Sequence, residues 1–262
     1  MIETFALPHP LAESKKKRKV YVYLPDDLEE EMRLPVLYMF DGHNLFSDSE
    51  ATYGKSWGLS DFLEANHVPL MVVGVDCNHS KNHGRLREYS PFSFDDPDLG
   101  HITGKGKQTM AWFTGPLKAY IDEHYPTLPM RETTFIAGSS MGGLMTLYAL
   151  CCYGDTYSRG AALSPSLWTS RRCMQMIRQS DTIGDSVLYM DYGENELARH
   201  EGMRTLFGQV AGALLEKGTK LNLRIVPGGE HCEASWEEQI PFFMDTLFYE
   251  GFRAGRSPDP ED

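Results

Sequence analysis

Apolar and polar residues alternate along this chain with two periods, one typical of β-strands and one of helices. Short apolar runs rich in β-branched and aromatic residues predict strands near Lys19–Leu24, Pro35–Phe40, Leu70–Asp76, Thr133–Gly138, Gly160–Leu163, Ser186–Asp191 and Leu221–Val226. Helical segments lie between most of them, and Met203–Lys217 is the clearest because its apolar residues recur at the i, i+3, i+4, i+7 spacing. Strands that alternate with helices indicate an α/β fold, a mostly parallel sheet with helices on both faces.

One strand and one helix are joined by a G-x-S-x-G pentapeptide. The strand Thr133–Gly138 leads into Gly138-Ser139-Ser140-Met141-Gly142, and an apolar helical segment follows directly. So sharp a turn needs glycine on both sides, because a Cβ there would contact the opposite arm, and it exposes the central serine above the sheet. The pattern predicts Ser140 as a nucleophile near the positive end of a helix dipole.

The residues that would complete a catalytic triad follow in the order serine, acid, histidine. Several carboxylates follow the strand Ser186–Asp191, and His231 lies in the loop after the strand Leu221–Val226. Because the carboxyl ends of parallel strands meet at one edge of a sheet, we expect an acid and His231 to lie beside Ser140. His231 would accept the Ser140 proton and return it to the leaving alcohol.

Three carboxylates could orient the histidine ring. Glu196 is preferred because it lies further along the loop that leaves the strand, whereas Asp191 ends the strand; Asp191 and Glu194 stay open as alternatives. The acid fixes the histidine tautomer and stabilises the imidazolium. We expect the unused carboxylates to be solvated or to cap a helix that starts near Arg199.

Backbone N–H groups must stabilise the tetrahedral oxyanion. We predict the N–H of Met141, directly after the nucleophile, and that of His43, in the turn after the strand that ends at Phe40. The candidates for a substrate-binding wall are Trp57, Arg87, Tyr89, Trp168 and Trp236. The competing interpretation is core packing for each aromatic ring and an ion pair with Glu88 or another acid for Arg87.

A long irregular stretch from Cys77 to about Lys107 is expected to form a rim over the site, because loops of this length are usually functional. We interpret its histidines as solvated and expect neither a metal nor a cofactor, since the chain has no C-x-x-C or H-E-x-x-H motif.

The segment between Leu163 and Ser186 is too short for a lipase lid. The sequence therefore favours small soluble esters as substrates.

Composition narrows the class of protein. The chain has 262 residues, 41% of them hydrophobic, which predicts one domain over residues 1–262 with short flexible termini. A net charge of −12 argues against nucleic acid and anionic membranes as partners. The five cysteines without framework spacing, and the lack of a signal peptide or a long apolar run, favour a cytoplasmic location. The basic run Lys15–Val20 is interpreted as the flank of an edge strand rather than a nuclear signal.

Six stretches resemble the esterase D-type branch of the α/β-hydrolases, the "putative esterase" family: Val20–Pro25, Leu37–Gly42, Arg87–Pro91, Ala137–Gly143, Leu163–Ser166 and Gly228–His231. The family includes siderophore, feruloyl and acetylxylan esterases, S-formylglutathione hydrolase and the antigen 85 mycolyltransferases. The resemblance implies a single-domain α/β-hydrolase fold and a serine esterase that works through an acyl-enzyme. It also supports Glu196 as the acid. Acyl transfer, siderophore trilactone hydrolysis and an inert binding protein are the alternatives.

Overall fold

The computed structural model describes residues 1–12, 17–29, 31–169 and 172–248. Its strands are β1 Ile2–Pro8, β2 Lys17–Tyr23, β3 Val36–Phe40, β4 Met71–Val75, β5 Phe94–Asp96, β6 Gly100–Ile102, β7 Thr134–Ser139, β8 Arg159–Leu163, β9 Val187–Gly193 and β10 Lys220–Val226. Eight of them form one sheet in the order β1-β2-β4-β3-β7-β8-β9-β10, and β5 pairs with β6 in a separate hairpin. The strands β3, β4, β7, β8, β9 and β10 run parallel, whereas β2 is antiparallel to both β1 and β4.

The α-helices are α1 Leu59–Ala65, α2 Gly84–Glu88, α3 Gly106–Trp112, α4 Lys118–His124, α5 Met141–Cys152, α6 Arg172–Gln179, α7 Glu194–Arg199, α8 Met203–Lys217, α9 Glu233–Glu237 and α10 Ile240–Leu247. A π-helical turn, Phe113–Leu117, joins α3 to α4, and 3-10 turns occupy Gly42–Asn44, Arg131–Thr133, Leu167–Thr169 and Ile183–Asp185. Among the described residues, no helix combines the length and the apolar character needed to cross a membrane.

Apolar residues cover both faces of the large sheet. On one face, side chains from α3, α4, α5, α6 and α8 join a continuous buried cluster; on the other, α1 and α10 do so. Parallel strands buried on both faces read as nearly unbroken apolar runs, as β3 and β4 do. The predicted α/β-hydrolase class, a mostly parallel sheet with helices on both faces, is confirmed.

The amino-terminal part of the sheet differs from the prediction. Residues Ile2–Pro8 form the edge strand β1 rather than a flexible terminus. Their side chains are largely exposed, so the sequence has no apolar run there from which a strand could be predicted. The basic run therefore does not flank an edge, because β2 lies between β1 and β4. Arg18 is buried and pairs with Glu88 at 3.0 Å. Lys15, Lys16 and the acidic tail at Ser257–Asp262 lie outside the described residues.

The stretch from Cys77 to Lys107 was expected to be irregular, and that expectation is wrong in part. It contains the short helix α2 and the β5–β6 hairpin. Its first part, from Cys77 through Leu86, supplies much of the wall of a cavity that Ser140 also lines. The stretch thus lies beside the elbow serine, as expected of a rim.

Candidate active site

Polar residues follow four neighbouring parallel strands at the same edge of the sheet. Ser140 follows β7, Ser164 follows β8, Glu196 lies in α7 directly after β9, and His231 follows β10. The strand ends are level, since Ser139 is paired with Leu163 and Leu163 with Asp191. The sheet register therefore brings residues far apart in sequence to one place.

The turn at Ser140 has the strained geometry that the pentapeptide predicts. Its backbone lies at φ 57° and ψ −119°, which is rare for a residue with a side chain. A Cβ at Gly138 would lie 2.9 Å from the backbone of Gly142, so the two arms of the turn pack too closely for one. The Ser140 N–H donates to the Leu163 carbonyl at 2.9 Å, which holds the turn against β8.

His231 lies between Ser140 and Glu196. Its Nε2 is 3.0 Å from Ser140 Oγ, and its Nδ1 is 2.6 Å from Glu196 Oε2. The histidine side chain is 47% exposed and that of Glu196 only 6%, so the acid is buried behind a ring that a substrate can reach. Such a chain of hydrogen bonds can take a proton from the hydroxyl and stabilise the resulting imidazolium.

The second carboxylate oxygen of Glu196 is also hydrogen-bonded. Its Oε1 accepts from Ser164 Oγ at 2.6 Å and from the Gly193 N–H at 3.0 Å. Burial alone would raise the pKa of Glu196, but hydrogen bonds from His231 and Ser164 outweigh burial and hold the pKa below its ordinary value. The residue lies in the first turn of α7 rather than in a loop, which corrects the predicted start of that helix near Arg199.

The two alternative acids contact other groups. Asp191 is almost fully buried and accepts hydrogen bonds from Tyr189 Oη at 2.9 Å and from the Ser164 N–H at 3.0 Å. Burial raises its pKa to about 7. Glu194 accepts from the Gly228 N–H at 3.1 Å. The structure thus brings Glu196, and not these two, within hydrogen-bond distance of the histidine.

Ser164 connects the parts of the site, and the sequence analysis did not select it. Its backbone is left-handed (φ 42°), its hydroxyl donates to Glu196, and the same hydroxyl accepts from Trp236 Nε1 at 3.1 Å. The next serine, Ser166, has its Oγ 3.3 Å from that of Ser140. The Leu163–Ser166 stretch, which carried part of the family resemblance, was the available signal.

The predicted oxyanion donors lie in two separate helical turns. Met141 is the first residue of α5, so its N–H has no intrahelical acceptor. His43 is the middle residue of the 3-10 turn after β3, and Asp41, which directly precedes this turn, has a left-handed backbone at φ 55°. Two nitrogens of Arg85 contact the two Asp41 carboxylate oxygens at 2.7 Å each, which ties this turn to α2.

Two cavities meet at Ser140. The larger, of roughly 510 Å³, has mostly polar residues in its wall, among them His43, Asn78, His79 and Glu233. The smaller, of roughly 360 Å³, includes Met141, Pro165, Trp168 and Met203. Arg85, Leu86, Ser140 and His231 line both. The serine hydroxyl therefore lies where a substrate could extend in two directions.

Two of the predicted wall residues do line these cavities. Trp168 is 51% exposed, lines the smaller cavity and packs edge-on against Phe94. Trp236 lines the larger cavity, and its ring lies edge-on to that of His231 with centroids 5.1 Å apart. Trp236 thus contacts the site by both its ring and its N–H.

The other three predicted wall residues lie elsewhere. Trp57 is buried behind Trp236 in the core, and Tyr89 is buried beneath the site, where its hydroxyl accepts from the Asp41 N–H at 3.3 Å. Arg87 is absent from the walls of both cavities, and its expected partner Glu88 pairs with another arginine. Arg85, two residues earlier, is the arginine that lines the site, and residue type alone could not distinguish the two.

Comparison with known proteins identifies the family. The sequence matches the family described as "Putative esterase" over residues 12–243. It is 25% identical over 247 residues to YbbA of Bacillus subtilis (strain 168), described as an uncharacterized protein, with 88% of this chain and 92% of YbbA covered.

Two solved structures are similar in fold. An IroE-like serine hydrolase from Shewanella oneidensis superposes with a TM-score of 0.71 at 20% identity, covering 94% of this chain and 79% of that one. The enterobactin esterase FES from Shigella flexneri, solved in the presence of enterobactin, gives 0.70 at 17% identity and covers 95% of this chain and 59% of that one. The family match spans most of the sequence, and the chain therefore belongs to this esterase family of carboxylic ester hydrolases.

Proposed function

We propose that this protein hydrolyses small soluble carboxylic esters through an acyl-enzyme formed on Ser140. The observation that carries the proposal is the hydrogen-bonded series Ser140–His231–Glu196, with heavy-atom distances of 3.0 and 2.6 Å. Nucleophile and base are within the reach that proton transfer requires, and the acid occupies the position that orients the ring.

In the first half of the reaction, Ser140 Oγ attacks the ester carbonyl carbon while His231 Nε2 accepts the hydroxyl proton. The carbonyl oxygen becomes an oxyanion, and the N–H groups of Met141 and His43 are the proposed donors to it. Collapse of the tetrahedral intermediate breaks the bond to the alcohol oxygen. The alcohol leaves with the proton that His231 returns, and the acyl group stays on Ser140.

In the second half, water replaces the alcohol. His231 accepts a proton from water as the water oxygen attacks the acyl carbon, and the same ring then returns that proton to Ser140 Oγ as the free acid departs. Glu196 stays ionised throughout, which the lowered pKa of its carboxyl supports. Its negative charge stabilises the imidazolium that forms in both halves.

A product analysis tests ester hydrolysis against two alternatives, acyl transfer to an alcohol and an inert binding protein. The protein is mixed with nitrophenyl acetate, with and without an added alcohol acceptor. Hydrolysis predicts free acetate whose rate of formation is insensitive to the acceptor. An acyl product that forms only with the acceptor would indicate a transferase instead, and no turnover together with no covalent labelling would indicate an inert binding protein.

A second candidate substrate class is a siderophore trilactone. The fold similarity to the enterobactin esterase motivates it, and the meeting of two open cavities at Ser140 favours it, because an ester inside a macrocycle must extend to both sides of the nucleophile. Hydrolysis of a catecholate trilactone and of simple acetyl esters is compared on one preparation by kcat/KM. A higher value for the trilactone would support this narrower function, and no detectable ring opening would exclude it.

A further inference from the structure

Four side chains with metal-binding atoms converge in the wall of the larger cavity. His43 comes from the turn after β3, and Asp76, Cys77 and His79 come from the loop after β4. One donor atom of each lies within 4.8 Å of every other. None of these side chains takes part in the proposed ester hydrolysis, for which only the backbone N–H of His43 is invoked.

The carboxylate of Asp76 is at the centre of this cluster. Its Oδ1 is 2.8 Å from His43 Nδ1 and 2.7 Å from His79 Nε2. The thiol sulfur of Cys77 is 3.9 Å from the same His79 nitrogen. The two imidazole rings meet at an interplanar angle of 70°, so they approach the cluster from different directions. Two segments of chain thus direct nitrogen, oxygen and sulfur at a shared point.

His43 has one ring nitrogen beside Thr52 and directs the other at Asp76. Its side chain is only 8% exposed, and its Nε2 lies 2.8 Å from Thr52 Oγ1, which can fix that nitrogen. Its buried Nδ1 forms no aligned hydrogen bond, although the Asp76 oxygen is close. A ring nitrogen directed at a cluster of donor atoms, with a hydrogen-bond partner on the other ring nitrogen, is the arrangement that metal-ligating histidines have.

The chemistry of the donors selects the class of ion. Two imidazoles, one carboxylate and one thiolate suit Zn²⁺ and related transition ions, whereas Mg²⁺ and Ca²⁺ prefer oxygen ligands throughout. In a tetrahedral zinc site the donor atoms are about 3.3–3.8 Å apart, so both histidine nitrogens would have to move from Asp76 Oδ1 by about 0.6 Å. We propose that His43, Asp76, Cys77 and His79 form a tetrahedral site for Zn²⁺ or a related divalent transition ion.

A bound ion would join the β3 turn to the β4 loop. On binding, the thiol proton of Cys77 is released to solvent and the thiolate coordinates the ion. The rim histidines were expected to be solvated rather than to bind a metal. His79 is close in sequence to Asp76 and Cys77, but it comes near His43 only because β3 pairs with β4 in parallel. The inference does not depend on the proposed ester chemistry.

The test is direct titration of the full chain after treatment with a chelator. Zn²⁺ should bind with a stoichiometry of one ion per chain by elemental analysis. Co²⁺ should give intense visible d–d bands typical of tetrahedral coordination, together with a near-ultraviolet thiolate charge-transfer band. Cys77→Ser should lose the charge-transfer band, and His79→Ala should lose stoichiometric binding.

His101→Ala is the matched control. His101 belongs to the same rim, its side chain is 60% exposed against 58% for His79, and it also contacts an aspartate, Asp95, at 2.7 Å. The control should bind one ion as the wild type does. Circular dichroism checks that each variant is folded. Failure of the folded wild type to bind stoichiometrically, or equal binding by the His79 and His101 variants, would overturn the proposal, whatever the esterase activity.

Discussion

Ser164 donates its hydroxyl proton to the Glu196 oxygen that His231 leaves free, across a distance of 2.6 Å. Ser164 follows β8 and Glu196 lies in α7, directly after the neighbouring strand β9, and their bond helps to orient the carboxylate whose other oxygen contacts His231. Because Trp236 donates to the same hydroxyl, the Ser164 hydrogen is directed at Glu196 rather than shared among acceptors. A serine that follows another strand thus contributes, together with His231 and the Gly193 N–H, to the orientation and charge of the buried acid.

The first prediction concerns this serine. Ser164→Ala should lower kcat by about tenfold, the amount expected for one hydrogen bond to a charged group, with little change in KM. Loss of the bond should also raise the pKa of Glu196, so the variant should show a second acid step from Glu196 on the low-pH side of its profile, which the wild type lacks. Steady-state kinetics across pH measure both. A purely structural role would lower stability without adding this step.

The second prediction separates the candidate acids. Glu196→Gln should lower kcat by a factor on the order of 10³–10⁴, because the amide favours the wrong histidine tautomer. Asp191→Asn should change kcat by less than about tenfold, since Asp191 contacts Tyr189 and Ser164 instead of the ring. Comparing kcat for the two isosteric variants decides the question. A larger loss in the Asp191 variant would transfer the role to that residue.

The third prediction is a dependence of stability on pH. Burial raises the pKa of Asp191 from 3.8 to about 7, so the folded state binds this proton more tightly than the unfolded state. Its contribution to the free energy of unfolding is complete below about pH 4 and is lost as pH rises through about 7. Relative to Asp191→Asn, the wild type should lose on the order of 2–4 kcal/mol between these values. Urea unfolding of both proteins at several pH values measures it, and parallel curves would contradict it.

The fourth prediction is that activity rises with pH. Only the neutral imidazole can accept the Ser140 proton, so kcat/KM should fall at low pH along a single titration. The acid Glu196 should not add a second step in this range, because its pKa lies below its ordinary value. A profile of kcat/KM over about pH 5 to 8 tests the role of His231. A flat profile would be inconsistent with a histidine base.

The fifth prediction concerns acyl chain length. Among its described residues, the segment between β8 and β9 contains only the 3-10 turns at Leu167 and Ile183 and helix α6, and most residues that line the larger cavity are polar. Activity should therefore fall steeply beyond roughly eight acyl carbons, with no increase when the substrate forms micelles. Nitrophenyl esters of graded length measure this. Strong activity on emulsified long-chain triglyceride would contradict it.

The sequence predicted most of the sheet and the elbow because both are local patterns. β3, β4, β7 and β9 are buried on both faces and therefore read as apolar runs, whereas the exposed edge strand β1 carries no such signal. Gly138 and Gly142, two residues to either side of Ser140, indicate a backbone constraint directly. These features need no knowledge of which strands are neighbours.

The contacts that depend on strand order could not be derived in this way. Ser164 reaches Glu196 only because β8 lies beside β9, and His43 reaches Asp76 only because β3 lies beside β4. Likewise, helix α2 directs Arg85 into the site, and residue type could not distinguish it from Arg87. Trp57 was predicted to line the site but lies in the core, because a large aromatic ring can pack in the core as well as line a cavity.

Covalent labelling tests the central claim, that Ser140 is the nucleophile. The wild type is treated with a fluorophosphonate, and intact mass and peptide mapping count and locate the adducts, with Ser139→Ala as the neighbouring control. We expect one adduct per chain, on Ser140, in the wild type and in the control. Ser140→Ala should lose both the label and activity, by a factor on the order of 10⁴ or more. An adduct on another serine, or turnover that survives in Ser140→Ala, would contradict the account.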